Sequence, residues 1–253
     1  MRLDHFVINV DPKYQKDIQI IKSIENSGFP YKPSWGKGTK GFKASNLWIG
    51  NEYFEMIHIL KEDGGGWKSE WVDHYNSGHR GLICIMIDTD NFDKIYETLI
   101  KKDIKITPPT FLQFKWFFNL LTRTMPWRNS YLPFFEGIPL QIGFQQMKDN
   151  KAQEFMEQYM VPNSRDNQIY GIKDVIVQGP YTANDLKLIK AIFSNYDEDE
   201  RSITINFSTN QKLIFQNNQS YGVEIITECK NKSYIDKTIQ IENVILSNTN
   251  ELE

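Results

Sequence analysis

The chain begins with LDHFVINVD, residues 3–11, a run with the period-two alternation of a β-strand. Successive side chains of a strand point to opposite faces of a sheet. One face of this strand is apolar throughout, whereas the other places His5 and Asn9 on either side of Val7. A histidine and an asparagine on one face of an apolar strand predict that this face does not pack into the hydrophobic core.

The elements around this strand recur along the chain. A helical pattern ends at Gly28, which suits a helix C-cap, and two strand-like runs then meet at a Gly50-Asn51 turn. The order of strand, helix and further strands returns at residues 82–106 and again at residues 172–193. Repetition at this scale predicts a fold built from duplicated units.

The first and third copies also share a spacing of acidic residues. Glu55 lies 50 residues after His5, and Glu224 lies 50 residues after Asp174. The spacing predicts that Asp174 and Glu224 occupy the corresponding positions of the third copy. Because that pair lacks a histidine, we interpret it as structural or solvated.

Composition limits the classes of function. The chain of 253 residues is 40% hydrophobic and 24% charged, with a net charge of −3, which predicts a soluble globular protein that does not bind nucleic acid. No apolar run approaches the roughly 20 residues needed to cross a bilayer, so no membrane association is expected. Both cysteines lie in apolar runs, and no signal peptide is visible, which fits reduced thiols and a cytoplasmic location.

The segments LDHFVINVD, NLWIGNEYFEMI, GLICIMIDTDNFDKI and YLPFFEGI together resemble the vicinal oxygen chelate superfamily, and most closely its glyoxalase-like domain proteins. The resemblance implies an α+β fold in which paired βαβββ units form a cup. It covers residues 1–146, followed by a helical connector at 147–170 and an additional βαβββ-like unit at 171–253. The His5 face of the first strand would then line the cup.

In the metal-dependent members of that superfamily, each unit supplies one ligand from its first strand and one from its last. The resemblance therefore implies metal ligands at His5 and Glu55, with Gln141 as the third ligand and Glu136 as the alternative to Gln141. An imidazole with a carboxylate suits Zn, Ni, Mn or Fe. The second unit has Leu82 where the first has His5, and leucine cannot bind a metal, so a divalent ion and no cofactor at all stand as equal alternatives.

An aromatic segment at residues 108–135 has few regular signals and is interpreted as a pocket wall or lid. Bulky apolar side chains with a guanidinium group suit an organic anion. The predicted ligand-binding residues are Asn9, Trp116, Arg123, Trp127, Arg128 and Tyr131. The Gly-rich GKGTKG, residues 36–41, lacks the flanking strand and helix of a dinucleotide site, so we interpret it as a rim loop whose two lysines meet an anionic ligand.

Two functions follow from this site. One is a metal-dependent lyase, isomerase or dioxygenase that acts on a small anionic or vicinal-oxygen molecule. The other is a metal-free ligand-binding or drug-sequestering protein without catalysis. An odd number of units leaves a sheet edge unpaired, which also predicts a homodimer.

Overall fold

The computed structural model describes residues 1–116 and 121–250, with the backbone alone at residues 114–116 and 121–123. The strands are β1 Arg2–Asn9, β2 Phe42–Ile49, β3 Glu52–Ile59, β4 Gly81–Asp88, β5 Thr110–Trp116, β6 Leu121–Phe134, β7 Gln141–Met147, β8 Ile169–Gly179, β9 Asp197–Glu198, β10 Ser202–Asn206, β11 Lys212–Asn217, β12 Gly222–Cys229, β13 Thr238–Ile241 and β14 Val244–Thr249. The helices are α1 Lys13–Lys16, α2 Ile18–Asn26, α3 Ser69–Asn76, α4 Phe92–Lys101, α5 Asn150–Glu157 and α6 Ala183–Ile192.

The strands form two sheets of seven, and the first sheet curls into a half-barrel. Its order is β2-β3-β1-β4-β7-β6-β5. β1 pairs with β3 in parallel, β4 pairs with β7 in parallel, and β1 and β4 join the two halves in antiparallel fashion. The predicted α+β fold of paired βαβββ units is therefore confirmed.

The second sheet repeats this arrangement. Its order is β13-β14-β12-β8-β11-β10-β9, with β8 parallel to β11, β12 parallel to β14, and β8 antiparallel to β12. The C-terminal unit is thus built of two halves, and a turn-rich segment at 230–237 stands where the other halves have a helix. Glu224 lies on β12, which corresponds to β4 rather than to β3, so the predicted equivalence of Asp174 and Glu224 with His5 and Glu55 is wrong.

The aromatic segment at 108–135 has more regular structure than its sequence indicates. It forms β5 and β6, an antiparallel hairpin at the edge of the first sheet. The expected lack of regular structure is therefore wrong. Neighbouring apolar residues, such as Phe111-Leu112 and Met125-Pro126-Trp127, interrupt the period of two on which strand recognition depends.

One large core joins the two sheets. It contains Phe6 and Ile8 of β1 together with Val175 of β8 and Ile225 of β12, all fully buried. A smaller core lies on the inner face of the first sheet, the face of Val7, where Trp71 and Tyr75 of α3 pack on the strands. The half-barrel is therefore partly filled by its own helix.

The β2–β3 turn anchors the connector between the sheets. Gly50 has a φ of +63°, and a Cβ there would come within 2.0 Å of the Tyr170 carbonyl oxygen, so this position requires glycine. Asn163 accepts a hydrogen bond from the Gly50 amide and donates one to the Gly50 carbonyl. The part of the chain that the structure describes contains no helix long and apolar enough to cross a membrane.

Candidate ligand-binding cleft

His5 is fixed by its neighbours on the inner face of the first sheet. A register shift in the pairing of β1 with β4 marks a bulge at Asp4. Oδ2 of Asp4 lies 2.5 Å from Nδ1 of His5 and accepts a hydrogen bond from Gln145. The imidazole is only 6% exposed and stacks on the Tyr53 ring at 4.6 Å. Its Nδ1 is therefore engaged and its orientation is set.

Glu55 lies on the same face, on the neighbouring strand. β1 and β3 pair with His5 opposite Tyr53 and Val7 opposite Glu55. The Glu55 side chain is half-buried, and no hydrogen-bond donor among the described residues reaches its carboxyl group. Burial raises the pKa of Glu55, and the nearby His5 lowers it in part. This carboxyl group is polar and partly desolvated, and it is free to meet a ligand.

Glu55 lines a cleft of about 490 Å³ between β2, the loop around Trp35 and the connector. The lining residues are Lys32, Trp35, Gly36, Lys37, Ala44, Asn46, Trp48, Glu55, Met125, Phe155, Met156, Gln158, Tyr159, Val161 and Pro162. A smaller pocket of about 50 Å³ shares Trp48 and Met156 with it and extends to Asp4 and Tyr53. The volume is within the range of small-molecule sites, roughly 300–1,000 Å³.

Methionines gather around this cleft. Of the seven in the chain, Met125, Met147, Met156 and Met160 line the two pockets. Thioether side chains are flexible and polarizable, and they adapt to ligands of irregular shape. Met125 and Met156 share the larger cleft with Trp48 and Glu55, and together with Trp48 they provide its apolar wall.

Large apolar side chains also stand exposed at the cleft mouth. Trp35 is 60% exposed, Phe155 41%, Tyr159 54% and Val161 53%. Four such residues around one cleft form a contiguous apolar patch rather than scattered exposure, and such patches mark binding sites.

Both candidates for the third metal ligand form hydrogen bonds with other residues. Oε1 of Gln141 accepts a hydrogen bond from the Trp71 indole at 2.9 Å, and its Nε2 donates to the Leu132 carbonyl. Glu136 lies in a turn after β6, where its carboxylate accepts hydrogen bonds from Thr182 and Asn184 of the second half of the chain.

The pairing of β1 with β3 and β4, and of β4 with β7, places His5, Glu55 and Gln141 on the same inner face, whereas Glu136 bonds to the second half of the chain. Over residues 1–116 and 121–250, no three His, Cys, Asp or Glu side chains come together as a metal site. Gln141 has partners at both ends of its amide, and the divalent ion predicted at His5 and Glu55 stays a prediction.

The predicted ligand-binding residues separate into three groups. Trp127 lines the smaller pocket. Asn9 is fully buried away from the cleft, and Tyr131 packs edge-on against Trp71. The Arg128 guanidinium pairs with both carboxylate oxygens of Asp93, at 2.9 and 3.0 Å. The geometry therefore does not provide an anion site at Arg128, because Asp93 already neutralises the guanidinium charge.

The side chains of Trp116 and Arg123 lie outside the described residues; their backbones belong to β5 and β6.

Sequence reasoning missed the connector as a wall of the site. The predicted helix is present as α5. We did not predict from the sequence that this helix lines the ligand-binding cleft. The available signal was the spacing of Phe155, Met156, Tyr159 and Met160, three and four residues apart, which gives the segment an apolar stripe.

No protein-family model matches the sequence, and no curated protein matches it. Among solved structures, a hypothetical protein from Staphylococcus aureus is 13% identical and covers 98% of both chains with a TM-score of 0.70. The two proteins share a fold over their whole length.

Methylmalonyl-CoA epimerases also match part of the chain. The Streptomyces coelicolor enzyme is 12% identical over 59% of this chain and 99% of its own, with a TM-score of 0.40. The Mycobacterium tuberculosis enzyme is 13% identical over 60% of this chain and 91% of its own, with a TM-score of 0.41. Likenesses at this level say nothing about the chemistry of the present chain.

Proposed function

We propose that this chain is a glyoxalase-like protein of the vicinal oxygen chelate type that binds a small, largely apolar organic molecule without a metal ion. The observation that carries the proposal is the Glu55 carboxyl group, which has no hydrogen-bond partner among the described residues and lines an aromatic and methionine-rich cleft. A few polar groups in an apolar concavity are the usual composition of a ligand site.

The position of Glu55 supports a direct contact with the ligand. A half-buried carboxyl group loses part of its hydration, and this cost is recovered when a bound donor replaces the lost water. Trp48 and Met156 lie along the same cleft and provide apolar contact. Any polar group that the ligand places against Glu55 is therefore expected to be a hydrogen-bond donor.

Catalysis by proton transfer is a second candidate function, supported by a specific observation. Glu55 has a raised pKa, and His5 is oriented by its hydrogen bond to Asp4. A carboxyl group whose pKa is raised by burial can take and return a proton as a general acid–base catalyst. On this basis the alternative is an isomerase or lyase that acts without metal.

Binding of Nile red, a neutral dye that fluoresces in apolar sites, tests the cleft. The wild-type protein should bind the dye saturably, and Met156→Gln should weaken the Kd about fivefold, because a polar amide replaces the thioether. Leu60→Gln is the matched control, since Leu60 is 49% exposed and lies outside the cleft. Absence of saturable binding, or equal effects of the two variants, contradicts the proposal.

Proton transfer is tested once a ligand has been found. The ligand is incubated with the protein in D2O and followed by NMR. If Glu55 is an acid–base catalyst, the wild type exchanges a carbon-bound proton for deuterium, whereas Glu55→Gln binds the ligand without exchange. A wild type that binds without exchange leaves binding as the function.

A further inference from the structure

We propose that the ligand is a single-chain amphiphile with an anionic headgroup, held with its head at Lys32 and Lys37 and its chain along the methionine and aromatic wall. This inference rests on the proposed function, because it names the ligand class of the same cleft.

Two unpaired cations stand at the edge of the cleft. Lys32 and Lys37 both line it, and neither forms an ion pair with a side chain that the structure describes. Nζ of Lys32 lies 4.4 Å from the centre of the Trp35 ring, which holds this charge against the apolar patch.

The charged residues of the cleft favour an anion at the edge where Lys32 and Lys37 lie. The lining described above contains two lysines and one acid, Glu55. A lysine acts as a compact point charge, which suits a carboxylate or sulfate head.

The apolar part of the cleft accommodates a flexible chain. Met125 and Met156 can adjust their side-chain rotamers to a chain that bends. Phe155 and Tyr159 pack against each other with ring centres 5.0 Å apart and stand exposed over the mouth. A bound alkyl chain would cover this patch and remove it from water.

The same surface does not suit an anionic bilayer. The apolar residues line a concave cleft that reaches Glu55, rather than a raised edge that could enter a membrane. Two exposed acids, Glu154 and Glu157, stand on α5 beside the patch and would be repelled by an anionic surface. A monomeric amphiphile fits the cleft and avoids this repulsion.

Displacement of Nile red by three ligands tests the inference. Decanoate, decanol and decyltrimethylammonium have chains of similar length and carry a negative, a neutral and a positive headgroup, and each is used below its micelle concentration. Decanoate should bind about tenfold more tightly than decanol, as expected from two partly exposed lysines. Lengthening the carboxylate chain by one methylene should tighten the Kd about fourfold.

The lysines are tested with a matched variant. The double change Lys32→Gln and Lys37→Gln should remove the preference for decanoate over decanol. Lys187→Gln on α6, an exposed lysine outside the cleft, should retain the preference.

The outcomes separate the two proposals. Equal affinity for decanoate and decanol in the wild type, or a preference for the cationic ligand, overturns the inference while leaving the cleft as a binding site. Cosedimentation with anionic phosphatidylglycerol vesicles that depends on Lys32 and Lys37 also overturns it, in favour of a membrane surface. If neither Nile red nor any of the three ligands binds, the proposed function itself fails.

Discussion

Replacing Glu52 with glutamine should change how the stability of this protein depends on pH. Glu52 begins β3 and lies between the two sheets, with 6% of its surface exposed. One carboxylate oxygen accepts a hydrogen bond from the Ile172 amide and the other from the Gln211 side chain, both at 2.9 Å. Burial raises its pKa from 4.5 to about 7, and the two hydrogen bonds lower it in part.

The raised pKa sets both the direction and the size of the effect. Between about pH 4.5 and about pH 7 the folded state retains a proton on Glu52 that the unfolded state has lost, so stability falls as the pH rises through this interval. Each pKa unit corresponds to about 1.4 kcal/mol, which gives a loss of about 3 kcal/mol across the interval. Asp4 and Arg2 are the charged neighbours of Glu52, and their opposite effects on its pKa are smaller.

Urea unfolding at several pH values from about 5 to about 8 measures this effect in the wild type and in Glu52→Gln. The variant cannot lose a proton at this position, so its free energy of unfolding should rise relative to the wild type by about 3 kcal/mol between the two ends of the range. At low pH it should be less stable by about 1–3 kcal/mol, because the amide cannot accept both hydrogen bonds.

The difference between the two proteins isolates Glu52. Burial lowers the pKa values of His58, His74 and His79, and a depressed histidine pKa makes the folded state lose stability as the pH falls. These contributions are common to both proteins and cancel in the comparison. Parallel stability curves for the wild type and the variant would refute the assignment of this pH dependence to Glu52.

Three further outcomes are expected. Gly50→Ala should lower the free energy of unfolding in urea by more than about 1 kcal/mol, because its φ is positive and a Cβ meets the Tyr170 carbonyl; wild-type stability would contradict this. Arg128→Met should leave the Kd for Nile red and decanoate within about twofold of wild type, since its guanidinium pairs with Asp93. Added Zn, Ni, Mn or Fe should leave the thermal midpoint unchanged, because Gln141 and Glu136 are engaged elsewhere; a rise that disappears in the double change His5→Ala and Glu55→Gln would restore the metal hypothesis.

The parts of the fold that could be predicted are those with a local signal. The alternation in β1, the Gly50-Asn51 turn and the capping chemistry from Thr182 to Asp185 each depend on residues close in sequence. The structure contains all three, including a complete capping box at the start of α6. Such features survive tertiary packing because the local preference and the final structure agree.

The parts that could not be predicted depend on distant contacts. The sequence could place Gln141 on the last strand of its unit. It could not show that the indole of Trp71, 70 positions earlier in the chain, donates a hydrogen bond to the Gln141 side-chain oxygen. Glu136 is removed from the cup by α6, whose Asp185 accepts hydrogen bonds from the backbone amides of Glu136 and Gly137. A likeness of strand order carries no information about these partners, because they come from elements outside the repeating unit.

The two sheets share a topology, but they differ in which elements pack over their faces. On the first sheet, the inner face receives α3 and the connector, and the cleft forms between the connector and β2. On the second sheet, Ile214, Ile176, Glu224 and Ile245 form a row across neighbouring strands and remain half-buried or exposed. The shared strand topology alone therefore does not create a ligand site. The cleft on the first sheet forms because the connector packs over its inner face.

The connector depends on the second sheet for its position, although the second sheet contributes none of the lining residues named above. The connector is held at its far end by Asn163 and Ser164 against Gly50, and Ser164 also donates a hydrogen bond to the carbonyl of Ile169, the first residue of β8. Glu52 bonds the beginning of β3 to Ile172 of the same strand β8. The position of α5 over the cleft thus depends on contacts between the sheets, and a change at this junction should affect ligand binding without touching the ligand.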